Sequence, residues 1–130
     1  MPNNLTLLSC GASCTAFLLL SQMKPISYYC DNATTQLFAD TWGDYLEELP
    51  TNAKEFFIYS ISTLLFAKIS VDVLRALFQC DEKPFISRSI SYFDKEIESF
   101  RNCSQYELAK ILGFFRDSLL DEYRELENNG

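Results

Sequence analysis

The stretch EFFIYSISTLLFAKI, residues 55–69, leaves this chain little choice of architecture. Phe56, Phe57, Ile58, Tyr59, Ile61, Leu64, Leu65, Phe66 and Ile69 are apolar, and at about 100° per residue they fall on nearly every side of a helix axis. Such a helix must be wrapped by neighbours, so the rest of the chain has to supply them. Apolar residues at helical spacing recur in almost every other segment, while strict alternation of apolar and polar residues is hard to find. The fold class expected is therefore all-α: a single-domain bundle of about five to six helices around this central one. A length of 130 residues suits one core and is short for two, so residues 1–130 are read as one helical domain. A hydrophobic content of 48%, with four Gly and four Pro, supplies enough apolar surface to offset chain entropy.

Residues 1–23 carry no charged side chain and include LTLLSCGASCTAFLLL. Two readings meet here, an export signal and a buried N-terminal helix. There is no positive n-region and no small-x-small cleavage site after the apolar run, and LLSC at Leu7 to Cys10 lies before most of that run. The run is also shorter than the roughly 20 residues a membrane span needs. The buried helix is preferred, with Gly11, Ala12 and Ser13 permitting close helix contact. Lys24-Pro25 marks a break, and ISYYCDNATT reads as a connection with a short strand open at Ile26 to Cys30.

The second helix is expected from about Leu37 to Leu49. Phe38, Trp42, Tyr45, Leu46 and Leu49 then share a core-facing side, with Asp40, Asp44 and Glu47 opposite. Pro50 ends it, and Asn52 with Glu55 resembles a capping box that starts the central helix. Ser70 caps a short helix carrying Val73, Leu74, Leu77 and Phe78, which stops near CDEKP ahead of Pro84. Ile86, Ile90, Phe93, Ile97 and Phe100 form the narrow stripe of a further helix. Ser104 and Glu107 set an S-x-x-E start for the last one, whose buried face is Leu108, Ile111, Leu112, Phe115, Leu119, Tyr123 and Leu126. Asn128, Asn129 and Gly130 are a frayed end.

Eighteen Asp and Glu against eleven Lys and Arg give a net charge of −7, which disfavours a phosphate backbone as partner, so no nucleic acid is expected. Histidine is absent, and with it the usual general base and the commonest metal ligand. Cys10, Cys14, Cys30, Cys80 and Cys103 are odd in number and form no C-x-x-C pair. They are read as free thiols in a reducing, cytoplasmic compartment, mostly as small buried hydrophobes. A cysteine nucleophile would have only Lys or a carboxylate as its base. Asp40 with Asp44, or Asp81 with Glu82, are the carboxylate pairs available for acid and base work, yet no second helix offers matched ligands. Calcium loops, phosphate-cradling loops and nucleophile elbows are missing as well. No enzyme activity, cofactor or metal is expected.

The acidic charge is concentrated. Residues 31–53 hold Asp31, Asp40, Asp44, Glu47 and Glu48 with no Lys or Arg, and residues 117–127 hold Asp117, Asp121, Glu122, Glu125 and Glu127 against Arg124. These segments carry −5 and −4 of the net −7, leaving +2 for the remainder. Asp40, Asp44 and Glu48 stand at i, i+4 and i+8, as do Asp117, Asp121 and Glu125. Like charges at those intervals cost a few tenths of a kcal/mol per pair. Either the stripes aid solubility, or they form a docking surface for a basic protein. The candidate partner-binding residues are Asp40, Asp44, Glu47 and Glu48 first, then Asp117, Asp121 and Glu125. Trp42 and Tyr45 are read as core.

Trp42 with Tyr45, the run EFFIYSISTLL, and the final F..CSQYELAKILGFFRDSL give the chain a resemblance over roughly residues 38–120. It resembles the small, acidic, mostly helical immunity proteins that bacteria carry beside contact-dependent growth inhibition and other polymorphic toxins. The resemblance implies a non-enzymatic cytoplasmic inhibitor that binds one cognate toxin domain, commonly a basic nuclease, and occludes its active site or substrate groove. It transfers no individual contact residue. The alternative, from another class, is a helical adaptor or secretion chaperone covering an apolar segment of its client.

Overall fold

In a computed structural model of the chain, residues 24–129 are described. The N-terminal helix expected within residues 1–23 lies outside them. The described residues fold into seven α-helices with no strand: α1 (Ile26–Tyr29), α2 (Ala33–Trp42), α3 (Thr51–Ala67), α4 (Val71–Gln79), α5 (Pro84–Tyr92), α6 (Asp94–Ser99) and α7 (Gln105–Asn129), with a 3-10 turn at Phe100–Asn102. The all-α bundle is as the hydrophobic spacing predicts. None of these helices is long and apolar enough to cross a membrane.

α3 is central. It packs antiparallel to α7 and also meets α4 and α5, and its inward side is Ala53, Phe56, Phe57, Ile61 and Leu64. Phe57 is the hub of an aromatic core, with ring centroids 5.0 Å from Phe38, 5.0 Å from Phe93 and 5.5 Å from Phe115. Edge-to-face and offset pairs of this kind add about 0.5–1.5 kcal/mol each to their burial. The helix is not covered all round, however. Tyr59 and Phe66 on its outer side are exposed.

Local signals account for the helix ends. Asn32 and Thr35 form a capping box for α2, each side chain accepting from the other's backbone N–H. α2 thus begins four residues earlier than the apolar spacing suggested, and Gly43 stops it after Trp42. The strand considered at Ile26 to Cys30 is instead a helical turn, entered from Pro25 in extended geometry and anchored by buried Ile26. α3 starts from Pro50 without a side-chain cap; the Asn52–Glu55 box does not form, and Glu55 accepts from the Tyr123 hydroxyl. Ser70 does cap α4, accepting from Val73 N–H at 3.2 Å. Of the four apolar residues expected on this helix, Leu74 and Phe78 are buried with Val71, while Val73 and Leu77 are exposed.

The stripe Ile86, Ile90, Phe93, Ile97 and Phe100 is buried in full. Its chain is not one helix, because the backbone bends at Phe93 between α5 and α6 and tightens at Phe100. Arg75 and Arg101 clamp α4 to α6 through Asp72, Asp94 and Glu98. The Ser104–Glu107 box forms as read, with bonds of 2.9 and 3.1 Å. Leu108, Ile111 and Phe115 are buried together with Phe114, but Tyr123 and Leu126 are exposed. α7 outruns the core that its apolar stripe was expected to fill.

Candidate functional site

The acidic segment after α2 is shaped by Gly43, whose φ of 96° and ψ of 157° lie in a region essentially reserved for glycine. The chain turns there and closes on itself through Leu46 N–H to Gly43 O (2.9 Å) and Glu48 N–H to Trp42 O (3.1 Å). Leu46, at φ 53°, and Leu49 point into the core. Asp44, Glu47 and Glu48 are thereby turned outward, and Asp40 is exposed on the last turns of α2. The helical i, i+4, i+8 stripe expected for Asp40, Asp44 and Glu48 is not present, since only Asp40 is helical. All four carboxylates are exposed nevertheless. Asp40 accepts from Gln36 Nε2 at 2.8 Å and Glu47 from the Tyr45 N–H at 3.1 Å. Among the described residues no cation pairs with any of the four.

The second acidic group is helical, as its spacing predicts, and its charges are largely answered. Asp117 accepts from the Tyr29 hydroxyl at 2.7 Å and lies 3.4 Å from Arg116 Nε. Asp121 pairs with Arg124 at 2.8 Å, and Glu122 with Lys54. Glu125 is exposed with no ion pair among the described residues. Burial first, then the Asp117 carboxylate, pushes the Tyr29 pKa up to about 12, so this phenol stays a donor at neutral pH.

α1 sits between the two groups. Ile26 N–H donates to Asp44 O at 2.9 Å, and three residues later Tyr29 reaches Asp117. The start of α3, directly after the acidic turn, meets α7 through Thr51 and Lys54 at Ser118 and Glu122. Both acidic segments therefore lie at the same end of the α3–α7 pair. A cavity of about 230 Å³ opens there, lined by Lys24, Tyr29, Phe114, Asp117, Leu120 and Arg124 among others. A second, of about 250 Å³, lies at the opposite end beside Lys68, Arg101 and Leu108.

Three further residues escaped the reading of the sequence. Lys54 is buried, and its phase with Phe57, Ile61 and Leu64 was the available signal that it points inward. Glu96 is also buried and accepts from Trp42 Nε1 at 2.9 Å, while the indole packs on Phe93 at 6.0 Å. Trp42 is thus turned inward and partly buried against the core, and Tyr45, also expected in the core, is likewise only partly buried. Tyr29 carried no signal beyond its aromatic ring.

Little here is arranged for covalent chemistry. Burial raises the pKa of both Cys30 and Cys103, which holds them as thiols rather than nucleophilic thiolates. No group of three or more Cys, Asp or Glu among the described residues could hold a metal ion. What the arrangement offers is an exposed negative surface on residues 40–48 that no cation pairs with among the described residues. Compared with known protein families, with curated proteins and with solved structures, the chain matches none.

Proposed function

We propose that the protein is an immunity-type inhibitor that acts in the cytoplasm by binding a cognate, basic, nuclease-type toxin domain and occluding its active site or substrate groove. The observation that carries this reading is the set of exposed carboxylates on Asp40, Asp44, Glu47 and Glu48, which no cation answers among the described residues. Carboxylates held on a turn braced by α1 imitate the phosphates that a nuclease groove attracts, which speeds encounter and blocks substrate by the same electrostatics. Asp117, Asp121 and Glu125 form a second rim at the same end of the bundle, weaker because Arg116 and Arg124 lie among them.

The test is the double reversal Asp44→Lys with Glu48→Lys, assayed against a panel of basic toxin domains. Neutralisation should fall by at least about tenfold, through slower association, and its dependence on salt should flatten. Unchanged protection would sink the placement.

A second reading, a helical adaptor or secretion chaperone for an apolar client segment, is favoured by the exposed Tyr59 and Phe66 on α3 and Val73 and Leu77 on α4. Binding through that side would be insensitive to salt and indifferent to the charge reversal.

A further inference from the structure

We infer that the cavity of about 250 Å³ beside Lys68 is a binding site for a small apolar carboxylic acid, whose carboxylate pairs with the Lys68 ammonium and whose tail lies on the core residues beneath. The floor of the cavity is apolar. Leu64, Val71, Phe100 and Leu108 are buried and Ile69 is half-buried, so α3 and the loop after it, α4, the 3-10 turn and α7 all contribute to one recess. Such a floor gains by covering an apolar tail.

The polar lining carries positive charge only. Lys68 and Arg101 are its charged members, and no carboxylate lines the cavity, in a chain whose net charge is −7. The two cations are not equivalent. Arg101 is held by Glu98 and Asp72 through Nε and both terminal nitrogens, so its charge is already answered. Lys68 forms no ion pair among the described residues. Ser70 Oγ accepts from the Val73 N–H and keeps its own hydrogen to donate, and the Gln105 amide lines the same cavity as a further donor.

Charge and size choose the occupant. A cation finds no carboxylate in the lining, and a phosphate group calls for more than one unanswered cation. An uncharged molecule leaves the Lys68 ammonium without a partner. The volume falls below the roughly 300–1,000 Å³ of sites for drug-sized ligands, which sets the tail at about six to eight carbons. This inference does not rest on the toxin-binding reading, because the cavity lies at the opposite end of the α3–α7 pair from residues 40–48.

Titration of the full chain with octanoate, followed by the amide chemical shifts of nitrogen-labelled protein, tests it. The shifts should saturate with a Kd of about 1 mM or tighter and centre on Leu64, Lys68, Val71 and Leu108. Octylammonium, with the same tail and the opposite charge, should bind at least about threefold more weakly; this comparison needs no variant. Lys68 ends α3 at φ 54° and ψ 42°, a left-handed position that glycine and asparagine accept, so Lys68→Gly and Lys68→Asn remove the ammonium and keep the fold. Each should weaken octanoate at least about threefold and leave the binding of octanol unchanged. Shifts that do not saturate or that centre elsewhere, octylammonium binding as tightly as octanoate, or octanoate affinity unchanged in either variant would each overturn the inference.

Discussion

Lys54 in the first turns of α3 forms an ion pair with Glu122 of α7, the lysine 4% exposed. Its ammonium also donates to Ser118 Oγ at 3.0 Å, whereas the Glu122 side chain is 30% exposed and keeps access to water. The two ends of the pair are therefore unequal. Glu122→Gln strands a buried charge, whose full cost of about 3–5 kcal/mol in a dry interior is reduced here to about 1–3 kcal/mol by the carboxylate's contact with solvent. Lys54→Met strands no charge, because Glu122 can turn outward, and leaves only the buried Ser118 hydroxyl without its donor, so it should cost less, about 1 kcal/mol. Urea unfolding followed by far-UV circular dichroism measures both, and equal losses would refute the asymmetry.

Tyr29 and Asp117 predict a dependence on alkaline pH. The fold favours the neutral phenol, raising its pKa from 10.0 to about 12. Its stabilising contribution is therefore complete below pH 10.0 and is lost as pH rises through about 12. In an absorbance titration, Tyr29 should ionise late among the seven tyrosines. Tyr123, which donates to Glu55, is shifted the same way, so the assignment needs Tyr29→Phe, which should remove one late transition and flatten the alkaline loss of stability. A titration left unaltered by Tyr29→Phe would contradict the assignment.

The helical class, the fully buried Ile86-to-Phe100 stripe and the Ser104 cap were legible because each depends on residues within a turn or two of one another. The turn at Gly43 was not. Phe38, Leu46 and Leu49 keep helical spacing across it, and they are buried whether the chain stays helical or turns, so the period does not separate the two cases. In α4 the spacing singles out Leu74 and Phe78, which are buried, along with Val73 and Leu77, which are exposed; Val71 completes the buried stripe from the first helical position, next to the Ser70 cap. At the candidate site, the exposure of Asp40, Asp44, Glu47 and Glu48 was readable from their surroundings. The quieting of the α7 carboxylates was not, since Lys54 and Tyr29 come from distant parts of the chain and Arg116 stands one residue outside the charge run.

Gly43 links that hidden turn to the proposed function. At φ 96° and ψ 157° a side chain is strained whatever the space around it, and a Cβ would also push aside the Glu47 carboxylate, the mobile end of an exposed side chain. Asparagine tolerates the compact left-handed region but not this extended one, so it offers no rescue. Gly43→Ala and Gly43→Asn should each destabilise the protein by about 1–3 kcal/mol. If α2 instead continues through the turn to escape the strain, the Ile26 N–H to Asp44 O bond is lost and the carboxylates leave their braced positions. Chemical denaturation read from Trp42, the only tryptophan, reports the first effect. Binding to a basic toxin domain by the folded fraction reports the second, and should weaken along with stability. A Gly43→Ala protein that matched the parent in both measurements would show that the turn neither strains the chain nor sets the acidic surface.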